Sequence, residues 1–134
     1  MTTTLETKFT ITSWDEQTYR ELPDGSKFTR ADVVLTGTGD GLDTATFEAL
    51  MYYRPDGTSS YTTLMRIVGE LAGRQGSFVL RGDGTFDGTA ARGASTVVTG
   101  SGTDGLAGIT GVSESVSTHA DYPFMPFTLR FDLG

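Results

Sequence analysis

Glu48, Arg66 and Arg81 are the residues whose types and spacing best suit chemistry in this chain. The run through Glu48 leads over Pro55-Asp56-Gly57 into the run through Arg66, and a turn near Gly73-Arg74-Gln75 leads on towards Arg81. If Arg54 pairs with Ser60 across the first turn, Tyr52 faces Thr62, Leu50 faces Leu64 and Glu48 faces Arg66, with Arg81 alongside. A carboxylate held between two guanidiniums in a dry cavity is an acid–base and anion-holding site. The same row facing water is an ion-pair ladder worth about 0.2–1 kcal/mol per pair. Charged side chains usually face water, and a slip of one residue would turn every side chain to the other face. The expected catalytic set is therefore Glu48, Arg66 and Arg81, provided their face points inward. Leu50, Tyr52, Leu64, Phe78 and Phe131 are the expected apolar lining of a binding site. Tyr53, Phe86, Phe124 and Phe127 read first as core.

Other tempting motifs lack the context they need. Gly100-Ser101-Gly102-Thr103-Asp104-Gly105 has the dinucleotide spacing, but that fingerprint works only where the glycines open a helix that meets the pyrophosphate. Leu106-Ala107-Gly108-Ile109-Thr110-Gly111 follows instead, so a turn is expected. Asp83-Gly84-Thr85-Phe86-Asp87-Gly88 resembles a calcium loop only loosely, and its twelfth position falls on Ala94 where a bidentate Glu belongs. Arg81-Gly82-Asp83 spells an adhesion tripeptide without a secretion signal beside it. His119 is the single histidine and precedes Tyr122-Pro123 in a polar stretch, which reads as an exposed loop. With no cysteine, thiolate metal sites and cysteine nucleophiles are excluded. No metal and no cofactor are expected.

The elements that must position these residues are short and extended. Runs rich in Thr, Val, Phe, Tyr and Ile, which suit a pleated surface, alternate with Asp-Gly pairs at 24, 40, 56, 83, 87 and 104, which suit hairpin turns. Phe127, Leu129, Phe131 and Leu133 share one face against Thr128, Arg130 and Asp132, and Phe47 to Arg54 alternates likewise. Further strands are expected at 8–13, 29–36, 61–70, 77–81, 94–99 and 110–117. Trp14–Leu22 and Thr44–Met51 are the only helical contenders, the second reading better as strand. About eight strands in 134 residues point to one all-β domain spanning residues 1–134, a closed antiparallel barrel, because closure alone removes both sheet edges. An open sandwich is the alternative. Eight strands enclose room for side chains or one small ligand.

A formal net charge of −7 makes nucleic acid and anionic membrane poor partners. The opening Met1-Thr2-Thr3-Thr4-Leu5-Glu6 lacks the marks of a secretion leader, so a cytoplasmic location is expected.

Taken together, Gly76-Ser77-Phe78-Val79-Leu80, Gly84-Thr85-Phe86-Asp87-Gly88 and the stretch from Thr96 to Gly111 resemble the bacterial domain of unknown function 3224 family. Phe9-Thr10-Ile11-Thr12-Ser13-Trp14-Asp15-Glu16 and Tyr53-Arg54-Pro55-Asp56-Gly57-Thr58 extend the likeness over nearly the whole chain. The resemblance implies a barrel like those of allene oxide cyclase and the dirigent proteins, whose Gly-Ser-Gly corner is similar to Gly100-Ser101-Gly102. It further implies a lumen for a small apolar ligand, cyclase or isomerase chemistry, and self-association into a homo-oligomer. The chain departs from the family pattern at Met65, where Glu precedes the arginine, and at Gly82, where His follows the strand; Glu48 and Arg66 fit. Three functions stay open: a cofactor-independent cyclase or isomerase, a non-catalytic carrier or sensor, and an interaction domain without a cavity.

Overall fold

A computed structural model of the chain describes residues 2–134; Met1, the first residue of the opening segment, lies outside them. Eight strands follow one another: β1 (Thr3–Glu21), β2 (Lys27–Gly37), β3 (Leu42–Tyr53), β4 (Ser59–Leu71), β5 (Arg74–Phe86), β6 (Ala90–Val97), β7 (Thr110–Thr118) and β8 (Phe124–Asp132). Each pairs antiparallel with its neighbours in order, and β8 closes on β1 through Thr3↔Phe131 to Thr10↔Phe124. The sheet is a closed barrel, not an open sandwich.

Alternation fixes what points inward. Ala31, Val33 and Leu35 of β2, Ile67 of β4, Phe78 and Leu80 of β5 and Leu129 of β8 are all at most 1% exposed, and with Phe9 they fill the lower lumen. Following paired residues round the barrel from Glu16 through Ala31, Ala49, Thr63, Gly82, Ser95, Ser113 and Leu129 returns to β1 at Leu5 rather than Glu16. That stagger tilts the strands and sets the barrel's width.

The two ends differ. At the bottom, residues 98–109 run along β5, where Ser101 Oγ accepts from Val79 N (3.0 Å) and Thr103 Oγ1 accepts from Ser77 N (3.0 Å). They then drop Leu106 and Ile109 into the core as a plug. The Gly100–Gly105 string thus leads into a single 3-10 turn, Asp104–Leu106, and does structural work there. At the top, four short connections join β1–β2, β3–β4, β5–β6 and β7–β8. These tips form the mouth.

Three expectations need correction. Trp14–Leu22 is not a helix: residues 14–21 continue β1, carried past two bulges at Thr12 and Tyr19. Asp83-Gly84 is not a turn; it lies inside β5, paired to Tyr61 and Thr62. The β3–β4 register is two residues from the expected one, because Arg54 N bonds Thr58 O (2.8 Å) round a three-residue turn, with Gly57 at φ +89. Glu48 therefore faces Leu64, and Thr46 faces Arg66. An even shift leaves Glu48, Arg66 and Arg81 sharing one face of the sheet.

Candidate functional site

Glu48, Arg66 and Arg81 all stand on the outer face of the barrel. They alternate with the inward Ala49, Met65, Ile67 and Leu80, which are buried. Glu48 Oε2 takes its ion pair from Arg30 Nη2 at 3.1 Å, Arg30 also lies 3.6 Å from Asp32, and Arg66 Nη2 reaches Ser77 Oγ at 3.4 Å. Among the described residues no ion pair joins Glu48 to Arg66 or Arg81. Leu50, Tyr52 and Leu64 share this outer face, whereas Phe78 and Phe131 are buried core inside. His119 is exposed at the β7–β8 tip, its ring 6.1 Å from that of Phe86. The structure does not gather these residues into one lumenal site.

A different polar cluster does face inward. Beyond the Thr12 bulge, Trp14 pairs with Val33, Glu16 with Ala31 and Thr18 with Thr29, so these β1 residues share the lumenal face of β2. They stand near the mouth, because β8 pairs with β1 only up to Thr10. Glu16 accepts a hydrogen bond at each carboxylate oxygen: Thr29 Oγ1 donates to Oε2 (2.9 Å) and Trp14 Nε1 donates to Oε1 (3.0 Å). Trp14 packs edge-on against Phe47, ring centroids 6.0 Å apart. Tyr53, the last residue of β3, completes the cluster. Burial first, then the neighbouring Glu16 carboxylate, push the Tyr53 phenol up to about 12. It therefore stays neutral through the physiological range.

The opposite wall is built from small residues. Gly82, Gly84, Gly93, Ser95, Ser115 and Ser117 point inward from β5, β6 and β7. Tyr61 enters from β4 and lays its ring over Gly84. Burial raises the Tyr61 phenol as well. The lower lumen is filled by the core, and the Glu16 cluster and this wall line its upper part from opposite sides.

An ionised carboxylate has about four lone-pair directions, and Thr29 and Trp14 occupy two. The others can accept a hydroxyl or amine proton from a ligand whose apolar body rests on Trp14, Phe47 and the tyrosines. Among the described residues no group of three or more His, Asp or Glu is placed to hold a metal, and no helix is long and apolar enough to cross a membrane.

Fold and site together define the class: an eight-stranded closed antiparallel barrel, plugged at one end and with an acid–aromatic cluster at the other. Residues 5–129 match the family described as "Protein of unknown function (DUF3224)", and the chain belongs to that family. It is similar to a crystal structure of a DUF3224-family protein of unknown function from Shewanella oneidensis MR-1, at 26% identity and a TM-score of 0.76, with 98% of each chain covered. No curated protein matches the chain.

Sequence reasoning missed Glu16 and its partners. The Trp14-Asp15-Glu16 segment carried the family resemblance, yet nothing in its pattern announced an inward strand. The signal that could have found it is the pairing frame: placing Glu16 opposite Ala31 needs the bulge at Thr12, which alternation alone does not reveal.

Proposed function

We propose that the barrel binds a small, mostly apolar molecule carrying a hydroxyl or amine donor at its mouth, with Glu16 as the polar anchor. The observation that carries this is the inward, partly buried Glu16 carboxylate, oriented by Thr29 and Trp14 beside aromatic rings. A mostly apolar concavity with a few convergent polar groups is the usual form of a ligand site. In the finer form of the proposal, supported by the resemblance to allene oxide cyclase-like barrels, the site steers a cyclisation or isomerisation. It does so by fixing one conformer and excluding water. Glu16 then hydrogen-bonds the reacting molecule. Glu48, Arg66 and Arg81 take no part, because they stand outside.

Trp14 is the single tryptophan, so its indole N–H gives one isolated NMR resonance at the site itself. Titration with 2-naphthol should shift that resonance. 2-Methoxynaphthalene, the same rings without the donor, should bind about tenfold more weakly or worse, because a hydrogen bond to a charged group is worth about 1.5–3 kcal/mol. Glu16→Gln should narrow that gap. A Trp14 resonance unmoved by either compound, or equal affinities in the wild-type chain, would refute the reading.

A further inference from the structure

Trp14 stands on the lumenal face of β1, opposite the buried Val33, yet is 46% exposed. A ring of that size is ordinarily well buried. It is not loose: its Nε1–H donates to Glu16 Oε1 at 3.0 Å, and Phe47 packs against it with the ring planes 82° apart. The indole is thus fixed in place with much of its surface open, beside a carboxylate. Glu16 is half-buried and accepts from neutral donors, the indole N–H and the Thr29 hydroxyl. Among the described residues no ion pair involves it. Tyr53 stays neutral beside it. Lys27, the first residue of β2, lays its Nζ over the Tyr53 ring, 5.3 Å from the centroid, and joins no ion pair among the described residues either. One ring of the cluster therefore already holds an ammonium.

These features select the charge of the ligand. The face of an aromatic ring is negative, so an open indole attracts a cation, and tryptophan does so best. A half-buried carboxylate adds a charge-assisted hydrogen bond from an N–H donor. A neutral alcohol can use the hydrogen bond but gains little from the ring. An anion would meet both the Glu16 charge and a formal net charge of −7. We propose, resting on the binding reading above, that the molecule taken at the mouth is an organic monoamine in its protonated form. Its ammonium group sits against Glu16 and the open Trp14 indole, and its apolar body lies on the neighbouring rings. One carboxylate balances one positive charge, which is why a monoamine fits and a more highly charged cation does not.

A matched pair of probes tests the charge alone. 2-Naphthylmethylamine, an ammonium at neutral pH, and 2-naphthylmethanol share their rings, their linker and a hydrogen-bond donor. Followed through the Trp14 indole N–H resonance of the full chain, the amine should bind at least about tenfold tighter than the alcohol. Glu16→Gln should remove most of that preference while both compounds still shift the resonance. Equal affinities in the wild-type chain would overturn the choice of an amine and leave the binding reading standing. A preference that survives Glu16→Gln undiminished would trace to the overall negative charge of the chain, and would overturn it as well. A resonance unmoved by either compound would bring down both.

Discussion

Tyr61 points inward from β4, and its ring lies where a side chain on Gly84 would go: an added β-carbon would fall 2.3 Å from Cε2 and Cζ. The glycine is therefore a seat for the tyrosine. Gly84→Ala should force the ring off its seat, at an overpacking cost of about 1–3 kcal/mol. The measurement is a double-mutant cycle by urea denaturation. In a Tyr61→Ala background the alanine at 84 should cost far less, because the clash partner is gone. An equal cost in both backgrounds would place the strain in the β5 backbone instead. Glu16 has the opposite logic. Its neighbours donate to it, so it is oriented rather than crowded.

At the scale of elements, three of the four mouth tips share one device. Asp24-Gly25-Ser26, Asp56-Gly57-Thr58 and Asp87-Gly88-Thr89 each aim an aspartate Oδ1 at the backbone N–H two residues on, at 3.0, 2.9 and 2.9 Å. The following hydroxyl donates to the same oxygen in each. Hydroxyl and backbone donors hold Asp24 and Asp56 below the ordinary carboxylate range. At Asp87 the N–H groups of Ala90 and Thr89 lead, and the carboxyl falls to about 2. A depressed folded pKa means the unfolded chain takes up the proton first. The stabilisation from this turn is thus whole above pH 3.8, the ordinary value, and is lost as pH falls towards 2. Asp87→Asn keeps an acceptor but not the charge. Its urea midpoint should lie below wild type at neutral pH and converge with it in that acid window; a gap constant across the window would sink the assignment. These turns were legible, because Asp-Gly between alternating runs has a mechanism, and so was β8, whose Phe127, Leu129 and Phe131 are buried on one face. Asp83-Gly84 misled for an informative reason: its glycine serves a packing contact from the next strand, which no local pattern encodes. The second half of β1 was illegible because the bulge at Thr12 moves the inward set from Phe9 and Ile11 to Trp14 and Glu16.

For the whole molecule the decisive bond is the last one made along the chain. Residues 3–10 pair with 124–131 across nearly the full sequence, and Phe9 meets Phe127 at that seam with ring centroids 5.4 Å apart. Every other strand pair joins sequence neighbours, so the seam alone carries the large loop-closure entropy. Phe127 is 4% exposed, and Phe127→Ala should cost about 3–5 kcal/mol, a large part of the roughly 5–15 kcal/mol that holds a domain folded. Such a loss divides between folding and unfolding rates according to when the contact forms. Hairpins close early because their ends are near; a seam that waits for the other strands forms after the rate-limiting step. Stopped-flow denaturant kinetics should therefore show Phe127→Ala raising the unfolding rate and leaving the refolding rate almost unchanged, whereas Ile67→Val, between consecutive strands, should slow refolding. If Phe127→Ala instead slows refolding by its whole stability loss, the ends meet first and the barrel is built inward from its seam.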